Sequence, residues 1–160
     1  MSSSTSQRRS VTPTDLDTLA RWTDVSEGFQ LTNRKLHAAV SNAFNLDPGE
    51  CDILLLLGRS SEGGLPMSAL AREIGFTSGG VTKVADRLAR RDLVERVPNP
   101  DDRRAVKLAL TPAGVQIAND LCCLVSDVVR SLWTDVVGVE KASMLAEAMA
   151  TLRDAHRNDE

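Results

Sequence analysis

Residues 77–83 read Thr-Ser-Gly-Gly-Val-Thr-Lys. Three hydroxyls, two bare glycines and one ammonium supply short hydrogen-bonding groups and a point charge, with no base beside them to activate a nucleophile. This is chemistry of contact, not of turnover. Thr77, Ser78, Gly79, Gly80, Thr82 and Lys83 suit base edges in a DNA major groove, provided that they open a helix. Gly79 and Gly80 each cost roughly 1 kcal/mol of helix propensity against alanine, a cost that makes sense where the backbone must come close to another molecule. A flexible turn is the other reading of the pair. Arg87, four residues beyond Lys83 on the same helical face, is a phosphate candidate, or else a solvated helix charge. A second group of charges follows at Asp101-Asp102-Arg103-Arg104. A carboxylate two residues before an arginine holds it extended, and a preoriented guanidinium fits a narrow, electronegative minor groove; the other reading is a mutually neutralised surface turn.

Competing chemistries find few residues. Ser78–Lys83 lacks the GxxxxGK[ST] spacing of a phosphate cradle, and no strand precedes it. His37 and His156 are the only histidines, neither lies near a motif, and no CxxC or HExxH occurs, so neither a zinc site nor a nucleophile–histidine–acid set can be assembled. Cys51, Cys122 and Cys123 are odd in number and two are adjacent, which leaves no disulfide framework and points to a reducing compartment. Cys122 and Cys123 fall in an apolar helical stripe, where cysteine behaves as a small hydrophobe; a redox-responsive role for the pair stands as an alternative. No cofactor and no enzymatic activity are expected.

The elements that must position these groups are legible in the pattern around them. Thr12-Pro13 starts a helix whose stripe of Leu16, Leu19, Trp22, Val25, Phe29, Leu36, Val40 and Phe44 recurs every three or four residues, with Gly28 a candidate bend. Asp47-Pro48-Gly49-Glu50 is a capping box before a second helix carrying Ile53, Leu54 and Leu57. Met67–Ile74 predicts a short third helix stopped by Gly75. Thr77 caps a fourth from Ser78 to about Arg91, with Val81, Val84, Ala85 and Leu88 buried. The period then changes to two. Val94–Val97 and Val106–Leu110 predict strands joined by the charged turn Pro98–Asp102. Thr111-Pro112 opens a long fifth helix with Ile117, Leu121, Leu124, Val125, Val128 and Leu132 on one stripe, interrupted at Gly138. A sixth from Val139 carries Leu145, Met149 and Leu152.

With 160 residues, 42% hydrophobic and 26% charged, the chain is of one-domain size and of ordinary globular composition. Neither a membrane span nor a secretory signal is visible, so a cytoplasmic protein is expected. The net charge of −3 argues against a polyanion partner, but the average conceals a local excess. Residues 72–107 hold nine Lys/Arg against six Asp/Glu, a net of +3, and the remainder ten against sixteen, a net of −6. The positive segment coincides with the short helix, glycine turn, longer helix and charged hairpin. The expected fold is therefore mainly α with a small β-hairpin wing, a winged helix-turn-helix flanked by long helices.

Leu70-Ala71-Arg72, Thr77–Lys83, Asp86-Arg87-Leu88, Leu93-Val94-Glu95-Arg96, Asn99–Arg104 and Leu110-Thr111-Pro112-Ala113-Gly114 together resemble the MarR family of winged helix-turn-helix transcription regulators. The resemblance implies a homodimer, formed by N- and C-terminal helices, that binds a pseudo-palindromic operator in double-stranded DNA, as a repressor in the leading reading. It implies a flexible arm over 1–11, a dimerisation helix over 12–46, the DNA-binding domain over 47–111 and C-terminal dimerisation helices over 112–160. Its Asp-x-Arg wing motif maps onto Asp102 and Arg104, Arg104 in the minor groove with Asp102 orienting it, and leaves Arg103 to a phosphate. Many relatives release DNA on binding a small aromatic effector. Trp22 would line that cleft as in urate-type relatives, or else belong to the core or dimer interface. A winged-helix module for protein–protein contact is a further alternative. Two departures from the family pattern stand out: Asp92 where relatives carry a left-handed glycine, and Pro66 where a Ser or Thr cap is common.

Overall fold

The computed structural model describes residues 10–60, 63–99 and 102–156, with the backbone alone at 102–105. Most of the expected arm lies outside the described residues. In order, the elements are α1 (Pro13–Phe44), α2 (Pro48–Gly58), β1 (Leu65–Pro66), α3 (Met67–Ile74), α4 (Ser78–Arg90), β2 (Val94–Asn99), β3 (Asp102–Leu110), α5 (Pro112–Val129), a π-helical segment (Arg130–Thr134), α6 (Asp135–Val137) and α7 (Val139–His156). Among the described residues, no helix is long and apolar enough to cross a membrane.

Internal contacts divide the chain into two units, residues 1–35 and 36–160. The described part of the first is helical. Thr12 caps it: its backbone N–H donates to Asp15 Oδ2 at 2.8 Å, and its hydroxyl oxygen accepts from Asp15 N at 3.2 Å. α1 continues through Gly28 without a break. Its stripe faces outward, with Leu16, Leu19, Trp22 and Phe29 all more than half exposed.

The second unit holds the core. Val40 from the end of α1, Ile53 and Leu54 from α2, Leu70 from α3, Val81, Ala85 and Leu88 from α4, Leu108 from β3 and Leu121 from α5 are all at most 1% exposed. The periodicity that placed Val40, Ile53, Leu54, Val81, Ala85, Leu88 and Leu121 on apolar faces is thus met by one shared interior, which Leu70 and Leu108 join. Asp47 Oδ1 accepts from Glu50 N at 2.9 Å while Glu50 Oε2 accepts from Asp47 N at 3.0 Å, completing the capping box of α2. α3 starts at Pro66 with no side-chain cap and ends on Gly75 at φ 66°.

Three features correct the expectations. The sheet has three strands in the order β1-β3-β2, not two: Leu65 pairs with Leu108, and Pro66 with Lys107. β2 and β3 run further than their alternation indicated, to Asn99 and from Asp102, with a register shift between Pro98 and Asn99. β2 is an edge strand, and so it tolerates Pro98. The fifth helix changes to π winding at Arg130–Thr134 before reaching Gly138, whose φ is 85°.

Two joints fix the wing to α5. Asp92 is left-handed at φ 57°, as its place after α4 implied. Its carbonyl accepts from Thr111 Oγ1 at 2.6 Å, and the same hydroxyl oxygen accepts from Gly114 N at 3.0 Å to cap α5. A β-carbon on Gly114 would stand 1.8 Å from the Leu93 carbonyl oxygen, so this position admits only glycine without a backbone shift.

Candidate nucleic-acid interface

α4 begins where the sequence placed it. Thr77 is extended, and its Oγ1 accepts from Gly80 N at 3.1 Å. Thr77, Ser78, Gly79, Thr82 and Lys83 are exposed and Gly80 is half-buried, while Val81, Val84, Ala85 and Leu88 turn inward. The helix therefore presents one polar face over its first two turns, with its back anchored in the core. Thr82 has its hydroxyl proton engaged, donating to Ser78 O at 2.9 Å, so towards a partner it offers lone pairs and a methyl group. The two glycines differ. Among the described residues, nothing lies within 4 Å of a β-carbon built on Gly79, whereas one on Gly80 would stand 3.2 Å from Thr77 Oγ1. Gly80 serves the cap; nothing inside the described chain requires Gly79.

Arg87 is placed otherwise than a free phosphate ligand would be. Its Nε donates to Glu50 Oε1 at 3.2 Å and its Nη2 pairs closely with Asp47 Oδ2. Burial disfavours the charge on this guanidinium, but the Asp47 and Glu50 carboxylates outweigh it and hold the group above its ordinary pKa. Arg91, which motif reasoning did not single out, donates from Nη1 to Asn45 O at 2.9 Å and from Nη2 to Phe44 O at 3.0 Å, and lies 3.7 Å from Glu50. It thereby caps the C-terminus of α1. Both partners lie some forty positions away in the chain, beyond the reach of any local pattern. A groove of about 530 Å³ over this cluster is lined by Ser41, Asn45, Asp47, Glu50, Arg87 and Arg91, among others.

The wing is tied to α4 by Arg96 on β2, whose Nη2 pairs with Asp86 Oδ1 at 2.7 Å. Asp102, Arg103 and Arg104 lie on β3, the strand that returns from the hairpin tip; their side chains, and the whole of Asp101, lie outside the described residues. Trp22 is 65% exposed on α1. Cys122 and Cys123 are exposed too, against the expectation that an apolar stripe would cover them: α5 buries Gly114, Ala118 and Leu121 and leaves the cysteines on its outer faces. Cys51 is buried. Burial, aided by the Asp52 charge, raises its thiol to about 11. Among the described residues, no group of three or more His, Cys, Asp and Glu is placed to hold a metal ion.

Comparison with known proteins agrees with this geometry. Residues 44–105 match the MarR family. Among curated proteins, the HTH-type transcriptional regulator YhbI of Bacillus subtilis is 30% identical over 94 residues, 59% of this chain and 60% of its own length. MhqR, another HTH-type transcriptional regulator of the same organism, is 33% identical over 76 residues, 48% of this chain and 51% of its own. The chain thus spans about half to three fifths of the length of these relatives. Among solved structures, AbsC from Streptomyces coelicolor superposes with a TM-score of 0.82 at 22% identity, covering 94% of this chain and 99% of its own. Sco3205 from the same organism, solved in complex with DNA, gives 0.80 at 21%, covering 94% and 92%. The fold is that of a winged helix-turn-helix with long flanking helices.

Proposed function

We propose that this chain is a DNA-binding transcriptional regulator without enzymatic activity. It acts as a homodimer, and as a repressor, on a pseudo-palindromic operator. The observation that carries this reading is the face of α4: Ser78, Gly79, Thr82 and Lys83 stand exposed while the helix behind them is locked into the core. An α-helix with small hydrogen-bonding groups on its first turns fits a major groove, and the ammonium of Lys83 neutralises a phosphate. Arg104 enters the minor groove with Asp102 orienting it, and Arg103 takes a phosphate. Arg87 holds α4 in place instead of reaching the backbone of the duplex, since its guanidinium already faces two carboxylates. Release by a small aromatic effector, with Trp22 among its contacts, completes the proposal.

The test is a titration of duplexes selected by the protein from a random pool, at several salt concentrations. Arg104→Ala weakens binding to the selected duplex by about 1–3 kcal/mol, and Lys83→Ala lowers the salt slope by about one. Unchanged affinity in both variants, or no binding to any duplex in dilute buffer, rejects the reading. Exposure of Cys122 and Cys123 favours one competitor, a redox-responsive regulator. In that case oxidant lowers DNA affinity in the wild type and has no effect in a Cys122→Ser/Cys123→Ser variant.

A further inference from the structure

Gly49 has no explanation within its own helix. It occupies the first turn of α2, where alanine is the better helix former. A β-carbon there would stand 2.9 Å from Phe76 Cε2, 3.1 Å from Phe76 Cζ and 3.3 Å from Val84 Cγ2. The space a side chain would take is filled by the ring of Phe76. That residue immediately precedes Thr77, the cap of α4, and its backbone N–H donates to Ala71 O at 3.0 Å, which secures it from the α3 side. A β-carbon on Gly80 would lie 3.7 Å from Phe76 Cβ and Cδ2, so the ring also touches the first turn of α4. Phe76 is nonetheless 39% exposed, unlike the core residues around it. It bridges two helix starts at the surface.

We propose that Gly49 and Phe76 are positioning residues for DNA recognition: the ring, seated on the bare backbone of α2, fixes the end of α4 that meets the bases. The proposal rests on the DNA-binding reading above. The far half of α4 is held by Arg87 and Arg91, but the first turn contains Gly79 and Gly80, whose backbone freedom invites fraying. A reading helix must hold its donors and acceptors to within a fraction of an ångström, because bidentate contacts to bases fail beyond that tolerance. Non-specific binding, which depends on charge alone, does not need this precision.

The experiment uses the full chain in two measurements. Amide hydrogen exchange in Phe76→Ala is expected to accelerate about tenfold or more at Gly80 and Val81, with Leu121 in α5 unchanged. The ratio of affinity for a selected duplex over a mixed-sequence duplex falls about tenfold, with mixed-sequence binding intact. Gly49→Ala produces the same two changes by evicting the ring. The double variant Gly49→Ala/Phe76→Leu, whose shorter side chain clears the new methyl, returns both to within about threefold of wild type. Unchanged exchange at Gly80 and Val81 in Phe76→Ala overturns the proposal, as does a folded double variant no better than Gly49→Ala. If Gly49→Ala does not fold, Phe76→Ala decides alone, since it leaves α2 untouched. A wild type that binds no duplex defeats the DNA-binding reading itself, whereas the exchange rates still report whether the seat exists.

Discussion

The two adjacent glycines of α4 separate what a protein needs for itself from what it holds open for a partner. Gly80 lies against its own cap, whereas a methyl on Gly79 would meet nothing among the described residues. Gly79→Ala is therefore expected to stabilise the fold by about 0.4–1 kcal/mol through reduced freedom of the unfolded chain. Under the proposed function the same methyl would stand where a base pair approaches, so affinity for a selected duplex is expected to fall. Thermal unfolding and DNA titration on one variant check both signs, and a variant that gains or loses in both together contradicts the assignment. Cys51 gives a second residue-scale expectation. Its folded thiol is raised from 9.0 to about 11, so the unfolded chain loses its proton first as the solution is made alkaline. Stability is then full below pH 9 and declines between pH 9 and 11, at up to about 1.4 kcal/mol per unit. Denaturant midpoints across that range should show a decline that Cys51→Ala removes. In native protein at pH 8, this thiol resists alkylation until the chain unfolds.

At the scale of elements, the joint between α4, the wing and α5 is the most sharply constrained. Gly114→Ala drives a methyl into the Leu93 carbonyl and is expected to cost about 3 kcal/mol, because the obstacle is backbone that cannot rotate away. Asp92→Gly relieves a left-handed side-chain residue and should stabilise by about 0.5–1 kcal/mol. Denaturant midpoints of the two variants must move in opposite directions. These positions also mark what the sequence makes legible. Thr12, Asp47, Thr77 and Thr111 each announce a helix start through neighbours within three residues, and the structure builds a helix after each. β1 was invisible because two residues carry no period; only Leu108 and Lys107, more than forty positions on, make them a strand. The ion pairs of Arg87 and the carbonyl contacts of Arg91 were hidden for the same reason, since their partners lie some forty positions away in the chain. The π winding at Arg130–Thr134 has no signature in those five residues that separates it from α-helix. The exposed polar face of α4 was legible because cap, glycines and hydroxyls fall within one turn and a half.

For the whole molecule, the decisive feature is apolar surface left uncovered among the described residues. Leu16, Leu19, Trp22, Val25 and Phe29 follow one stripe of α1 and are 42–68% exposed, and on α7 Met144, Leu145, Met149 and Leu152 are 40–62% exposed. Scattered apolar residues on a surface are ordinary, but a helical stripe of five, two of them aromatic, is costly to leave in water and marks an interface. Under the proposed function the partner for this stripe is a second copy of the chain, since two-fold symmetry in the protein would call for two-fold symmetry in the DNA site. Selected duplexes should therefore contain two half-sites about one helical turn apart, which footprinting reads directly. A Leu19→Asp/Phe29→Asp variant places two charges on the stripe without touching the core. It should sediment as a monomer where the wild type is a dimer. Linking two modules makes the second contact intramolecular, so dissociation is expected to weaken binding to the two-half-site duplex by about 10²-fold or more while a single half-site is bound as before. A wild type that sediments as one 17.3 kDa chain, or a monomeric variant that still grips the full operator, would separate the apolar stripe from recognition and assign it to another partner.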